Sequence, residues 1–169
     1  MSGLRETDLI QANMTTNVET AKPLESLKNA LRKIVARNVG SIVVIEENEP
    51  VGIITERDIS RSVARDNNVL RRKVKNVMSS PLFTIGFTDS VQDGVALMLK
   101  HGVRRLPVVK EGKLVGIISQ RDVLLWMLRI SYELHIPPEV KGILEQPVQS
   151  RNSQRQEDAR ANLVCLASG

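Results

Sequence analysis

Apolar positions along the chain fall into two rhythms that alternate twice. Leu27, Leu31, Ile34 and Val35 stand at i, i+4, i+7 and i+8, and Val91, Val95, Met98 and Leu99 repeat that spacing. This is the stripe that one face of an amphipathic helix buries. Each stripe stops at a residue that tolerates the left-handed conformation past a helix end, Asn38 in one case and Gly102 in the other. Two β-branched runs follow each time, Ser41–Ile45 with Val51–Ile54 and Arg105–Val109 with Val115–Ile118. The polar tetrapeptides Glu46–Glu49 and Lys110–Lys113 separate them, which reads as strand, turn, strand. A short extended piece precedes each first helix, Asn17–Thr20 or Leu82–Ile85, and a second helix opens at Thr55 or Ser119. The predicted order is therefore β-α-β-β-α, twice, a mixed α/β (α+β) fold.

The doubling is also written in residue identities. Displacing the chain against itself by 64 positions, without a gap, matches 13 of 52 residues when 14–65 is laid on 78–129. Met14 falls on Met78, Thr20 on Thr84, and Val51-Gly52-Ile53-Ile54 on Val115-Gly116-Ile117-Ile118, with Arg57 and Asp58 on Arg121 and Asp122. A repeat of this kind is one structural unit used twice. The first copy is expected over 9–65, a polar and basic linker over 66–73, and the second copy over 74–134. Pro137-Pro138 ends the last helix, and 135–169 reads as a largely mobile C-terminal extension.

Composition narrows the chemistry. Of 169 residues 41% are apolar, enough for a core, but only Phe83, Phe87, Trp126 and Tyr132 are aromatic. An aliphatic core follows, and an aromatic platform for single-stranded nucleic acid is excluded. The formal charge of +5 suits an anionic ligand without requiring nucleic acid. With Cys165 the only cysteine, no internal disulfide or thiolate cluster can form, and a cytoplasmic location is expected. No signal-peptide core follows Met1, and no apolar run approaches the roughly 18 residues a membrane helix needs. His101 and His135 are isolated, so no metal site is expected, and no nucleophile, base or Gly-rich phosphate loop suggests a catalytic residue.

The doubled block Gly-Ile-Ile-[Thr/Ser]-x-x-Asp, with its leading Met-Thr-Thr or Met-Ser-Ser, resembles a tandem pair of CBS domains, often called a Bateman module. The resemblance covers about residues 9–134 and implies two sheets packed face to face about a pseudo-twofold axis. It also implies clefts between the copies that bind adenosine-containing ligands such as AMP, ADP, ATP or S-adenosylmethionine. By the same resemblance no required cofactor is expected, and the adenosine compound is expected to act as a regulatory ligand.

Thr55-x-x-Asp58 and Ser119-x-x-Asp122 have two readings. A hydroxyl opening a helix with an acid three residues on is a capping box. The same carboxylate can accept hydrogen bonds from both hydroxyls of a ribose, the role the resemblance assigns to these positions. The two are compatible, since hydroxyl and carboxylate have lone pairs to spare. Aspartate at a helix N-terminus repels phosphate, so arginines must hold the anion, and Arg57, Arg121, Arg104 and Arg105 are the candidates. Adenine is expected among Thr20, Ala21, Ile42 and Ile53 in one copy and Thr84, Ile85, Leu106 and Ile117 in the other, side chains that belong to the core first. Gly40-Ser41 replaces Arg104-Arg105 in the first copy, so the second site is expected to fill first.

Two functions compete at this point. One is a regulatory adenosine-ligand module acting on a downstream protein, not an enzyme. The other is a nucleic-acid-associated protein using the basic stretch Arg71–Lys75. Because Val123 to Ile130 is apolar around most of a helix, a homodimer is expected with Leu125, Trp126 or Arg129 at its seam.

Overall fold

The computed structural model describes residues 5–66 and 68–131. The expected C-terminal extension, with Tyr132, His135 and Cys165, lies outside these residues. The chain separates into two compact units, residues 18–66 with 68–82, and residues 5–17 with 83–131.

The first unit is built on a three-stranded sheet ordered β1-β2-β3, from β1 (Thr20–Ala21), β2 (Ser41–Glu46) and β3 (Glu49–Thr55). Strand β1 runs parallel to β2, and β2 antiparallel to β3. Helix α2 (Leu27–Arg37) crosses between β1 and β2, and α3 (Glu56–Arg65) follows β3. Leu27, Ala30, Ile34, Ile42, Val44, Ile54 and Ile59 close the core. The second unit repeats the plan with β4 (Ile85–Gly86), β5 (Arg105–Lys110), β6 (Lys113–Ser119), α4 (Val91–His101) and α5 (Gln120–Ile130). Its core gathers Ile85, Val91, Met98, Leu106, Val108, Ile118, Val123 and Trp126.

Local chemistry explains these boundaries. Asn38 and Gly102 end α2 and α4 in the left-handed region, at φ 48° and 62°. The hairpins turn on Glu47-Asn48 and Glu111-Gly112, all four at positive φ, the turn whose twist matches its strands. The buried stripes are narrower than the periodicity suggests. Val35 and Leu99 were expected inside but are 51% and 74% exposed, with Leu31 and Val95 half-buried. Small residues set the line of closest approach instead: Ala30 in α2, and Gly94 in α4, where a Cβ would lie 3.2 Å from Cδ1 of Ile10.

The expected linker is no loose connector. Val69 is buried in the core of the β1–β3 unit, the Leu27 N–H donates to the Arg72 carbonyl, and the Val74 N–H to that of Glu25. The leading segments are exchanged between the sequence repeats. A short helix α1 (Ile10–Asn13) and the strand-like Thr15 join the β4–β6 unit, where Thr15 and Ile117 exchange two backbone hydrogen bonds of 2.9 Å. Ser79 does the same for Ile53 in the β1–β3 unit. Each leading methionine then covers a glycine: Met14 lies on Gly116, and Met78 on Gly52.

Candidate functional site

The strand register assembles the predicted polar residues at one end of each sheet. In the β4–β6 unit Arg105 pairs directly with Ser119, and the Gln120 N–H donates to the Arg104 carbonyl. Arg104, Arg105, Ser119, Arg121 and Asp122 therefore gather where β6 passes into α5. In the β1–β3 unit Ser41 pairs with Thr55, so Gly40, Ser41, Thr55, Arg57 and Asp58 occupy the matching place. Arg57, Arg104 and Arg121 are exposed and make no ion pair with the described residues, so their guanidiniums are open to an anion.

The capping reading is realised in full. Thr55 Oγ1 accepts from the Asp58 N–H at 3.3 Å, while Asp58 Oδ2 accepts from the Thr55 N–H at 2.9 Å and its hydroxyl at 2.6 Å. Ser119 and Asp122 reproduce this at 3.4, 2.8 and 2.6 Å. The hydrogen bonds that the Asp58 carboxylate accepts from the described residues all fall on Oδ2, so Oδ1 can meet a sugar hydroxyl without undoing the cap. The sequence reading passed over a third box, Ser90 with Asp93 at the start of α4. Its Ser-x-x-Asp spelling was legible, and it shows that the motif by itself means only a capped helix.

Four of the six predicted apolar residues, Ala21, Ile42, Ile85 and Leu106, belong to the cores. Ile42 and Leu106 are fully buried, Ala21 and Ile85 nearly so, while Ile53 and Ile117 are half-buried. Both backbone groups of Ile53 and of Ile117 are taken by Ser79 and Thr15. Thr84 is half-buried beside β4, and Thr20 is exposed on β1.

Three features escaped the sequence reading. Lys33 Nζ of α2 donates to the Thr20 carbonyl at 2.9 Å and pairs with Glu25 at 2.9 Å. Arg37 pairs with Glu19 at 3.1 Å. Asp8 is buried, and its carboxylate accepts from Arg5 Nε at 3.3 Å and from Trp126 Nε1 at 3.2 Å. The Arg5 guanidinium holds that carboxyl below its usual range, against the opposing effect of burial. Trp126, with Leu125, is thereby turned inward at 6% and 9% exposure, which corrects the expectation of both at a dimer seam. An indole N–H needs an acceptor once buried, and the N-terminal segment supplies it. The apolar residues α5 leaves exposed are Leu124, Met127 and Ile130. A cavity of about 400 Å³ beside Asn13, Trp126 and Arg129 contains none of the predicted site residues.

Comparison with known proteins agrees with this geometry. The family model for the CBS domain matches twice, over residues 7–65 and 74–129. The chain belongs to the CBS-domain family, as a tandem pair. A 17.7 kDa protein of Acidianus ambivalens is 37% identical over 132 residues, 76% of this chain and 79% of that protein. A Methanopyrus kandleri protein is 37% identical over 111 residues, 64% of this chain; the match spans only 57% of that relative's length. Among solved structures, CBSX2 in complex with AMP superposes with a TM-score of 0.62 at 26% identity, covering 73% of this chain and 98% of that one. No helix among the described residues is long and apolar enough to cross a membrane.

Proposed function

We propose that this tandem CBS pair is a regulatory module that binds an adenosine-containing ligand, AMP, ADP, ATP or S-adenosylmethionine, and signals its presence to a downstream protein. The observation that carries this reading is the pairing of Arg105 with Ser119, which sets arginines beside an Asp-capped helix start. Asp122 and Ser119 take the ribose, Arg104, Arg105 and Arg121 the phosphate, and Thr84, Ile85, Leu106 and Ile117 border the base. Thr55, Asp58 and Arg57 do the same work with Thr20, Ala21, Ile42 and Ile53, but Gly40 and Ser41 supply no cation there. The AMP complex of CBSX2 supports the ligand class. The module works in the cytoplasm as a homodimer, whose contact is the apolar side chains α5 leaves exposed, Leu124, Met127 and Ile130.

Calorimetry with AMP tests the site. Charge-assisted contacts contribute about 1.5–3 kcal/mol each, so Asp122→Ala is expected to weaken the tighter binding by about tenfold or more. Asp58→Ala leaves most of it. Asp93→Ala is the control, because it removes the same kind of cap from α4 without touching the proposed site. Equal losses from all three variants would overturn the reading.

A further inference from the structure

The two units hold their first strands by different physical means. In the β1–β3 unit the strand lead-in is tied to the sheet and to α2 by polar contacts: the Val43 N–H donates to the Glu19 carbonyl at 3.0 Å, Arg37 pairs with the Glu19 carboxylate, and Lys33 reaches the Thr20 carbonyl. Displaced by 64 residues, these positions become Pro107, Phe83, His101 and Leu97. Proline has no N–H to give and leucine no charge. What joins β4's lead-in to α4 is instead a ring stack, Phe83 on His101 with centroids 3.8 Å apart and planes 22° from parallel. A side-chain tie beside β4, Gly86 N–H to the Asp89 carboxylate at 2.7 Å, closes the turn after the strand and does not reach the helix.

We propose that Lys33 is a positioning residue for the ligand site of the β1–β3 unit: through the Thr20 carbonyl it fixes the strand carrying Thr20 and Ala21, so that ionic strength tunes adenosine binding at this unit and not at the other. The inference rests on the function proposed above, since it is adenosine binding that makes the strand's position matter. Lys33 and Glu25 side chains are 38% and 17% exposed, and Arg37 and Glu19 50% and 20%, so solvent ions reach both pairs. Charges this exposed are screened as the Debye length shrinks, whereas a stacked ring pair is not.

Hydrogen exchange and calorimetry together test it. Raising NaCl from about 0.05 M to about 0.5 M is expected to speed exchange of the amides of Thr20 and Ala21 by about two- to fivefold, leaving Ile85 unchanged. With Arg37→Met as the background for all these variants, which removes the separate salt response of the Arg37–Glu19 pair, Lys33→Met keeps the aliphatic stem, takes away the remaining charge and should abolish the salt response. Adenosine serves as the binding probe because, uncharged, it brings no salt dependence of its own. Its affinity should fall with salt in Asp122→Ala, which leaves the β1–β3 site, and stay flat in Asp58→Ala and in the double variant of Asp122→Ala with Lys33→Met. An equal salt response of both strands, or a response that survives Lys33→Met, overturns the role of Lys33. If exchange behaves as expected but the wild-type chain takes up no adenosine, the proposed function is what fails, and the ligand role of Lys33 falls with it.

Discussion

Gly52 and Gly116 look interchangeable in the sequence, yet their surroundings differ. The three atoms nearest a Cβ on Gly52 all belong to Met78, Sδ at 2.5 Å, and a methionine side chain can swing aside. A Cβ on Gly116 would meet Met14 and also the Thr15 carbonyl at 3.0 Å, which is held in the bridge to Ile117. Gly116→Ala should therefore cost about 1–3 kcal/mol of stability and Gly52→Ala distinctly less, as urea melts of the two variants will show. Asp8 offers a second residue-scale test. Its folded pKa lies below the ordinary value of an aspartate, so its contribution is present above that ordinary value and is lost as pH falls through the folded one. Fluorescence of Trp126 should shift in that acid range, and the shift should be absent in Asp8→Asn, which has no carboxyl to protonate. Neither partnership was legible in advance. Repetition marked the glycines and their methionines but not which met which, and 118 residues separate Asp8 from Trp126.

Elements were the most legible scale, because their limits are set by neighbours in sequence. Helix ends at Asn38 and Gly102, hairpins at Glu47-Asn48 and Glu111-Gly112, and starts at Thr55 and Ser119 all follow from short-range backbone chemistry. The hairpins give a paired prediction. Gly112 stands at φ 76° and Asn48 at φ 70°, so Gly112→Ala should lower stability by about 1–2 kcal/mol, while Asn48→Gly should leave it unchanged or slightly raised in thermal melts. What the sequence misjudged was depth. Strands β1 and β4 pair over only two residues, and Val35 and Leu99 point outward although their spacing suits a buried stripe. Periodicity tells which residues share a face. It cannot tell how far the covering layer extends over that face.

For the whole molecule, repeat and folding unit are different things. The match at 64 residues is the same whether Met14 serves its own copy or the other, so the exchange of leading segments is invisible to any comparison of the chain with itself. Geometry decides it, through the bridges Thr15 to Ile117 and Ile53 to Ser79. Fragments separate the two descriptions. A peptide of residues 18–82 carries Val69, Val74 and Met78, which complete the core around α2, whereas one of residues 9–65 lacks all three. Circular dichroism should show a cooperative thermal transition for the first and none for the second.

The exchanged segment also sets a timetable for synthesis. Residues 18–82 are contiguous and can close as soon as they emerge, but residues 5–17 need β6 and α5, which are made about a hundred residues later. At about 5–20 residues per second, that leaves Ile10 and Met14, buried in the finished protein, uncovered for on the order of ten seconds. During that interval any β4–β6 half can accept them, including one on a neighbouring ribosome of the same message. Crowded nascent chains thus have a route to interlocked pairs that a dilute, slowly translated one does not.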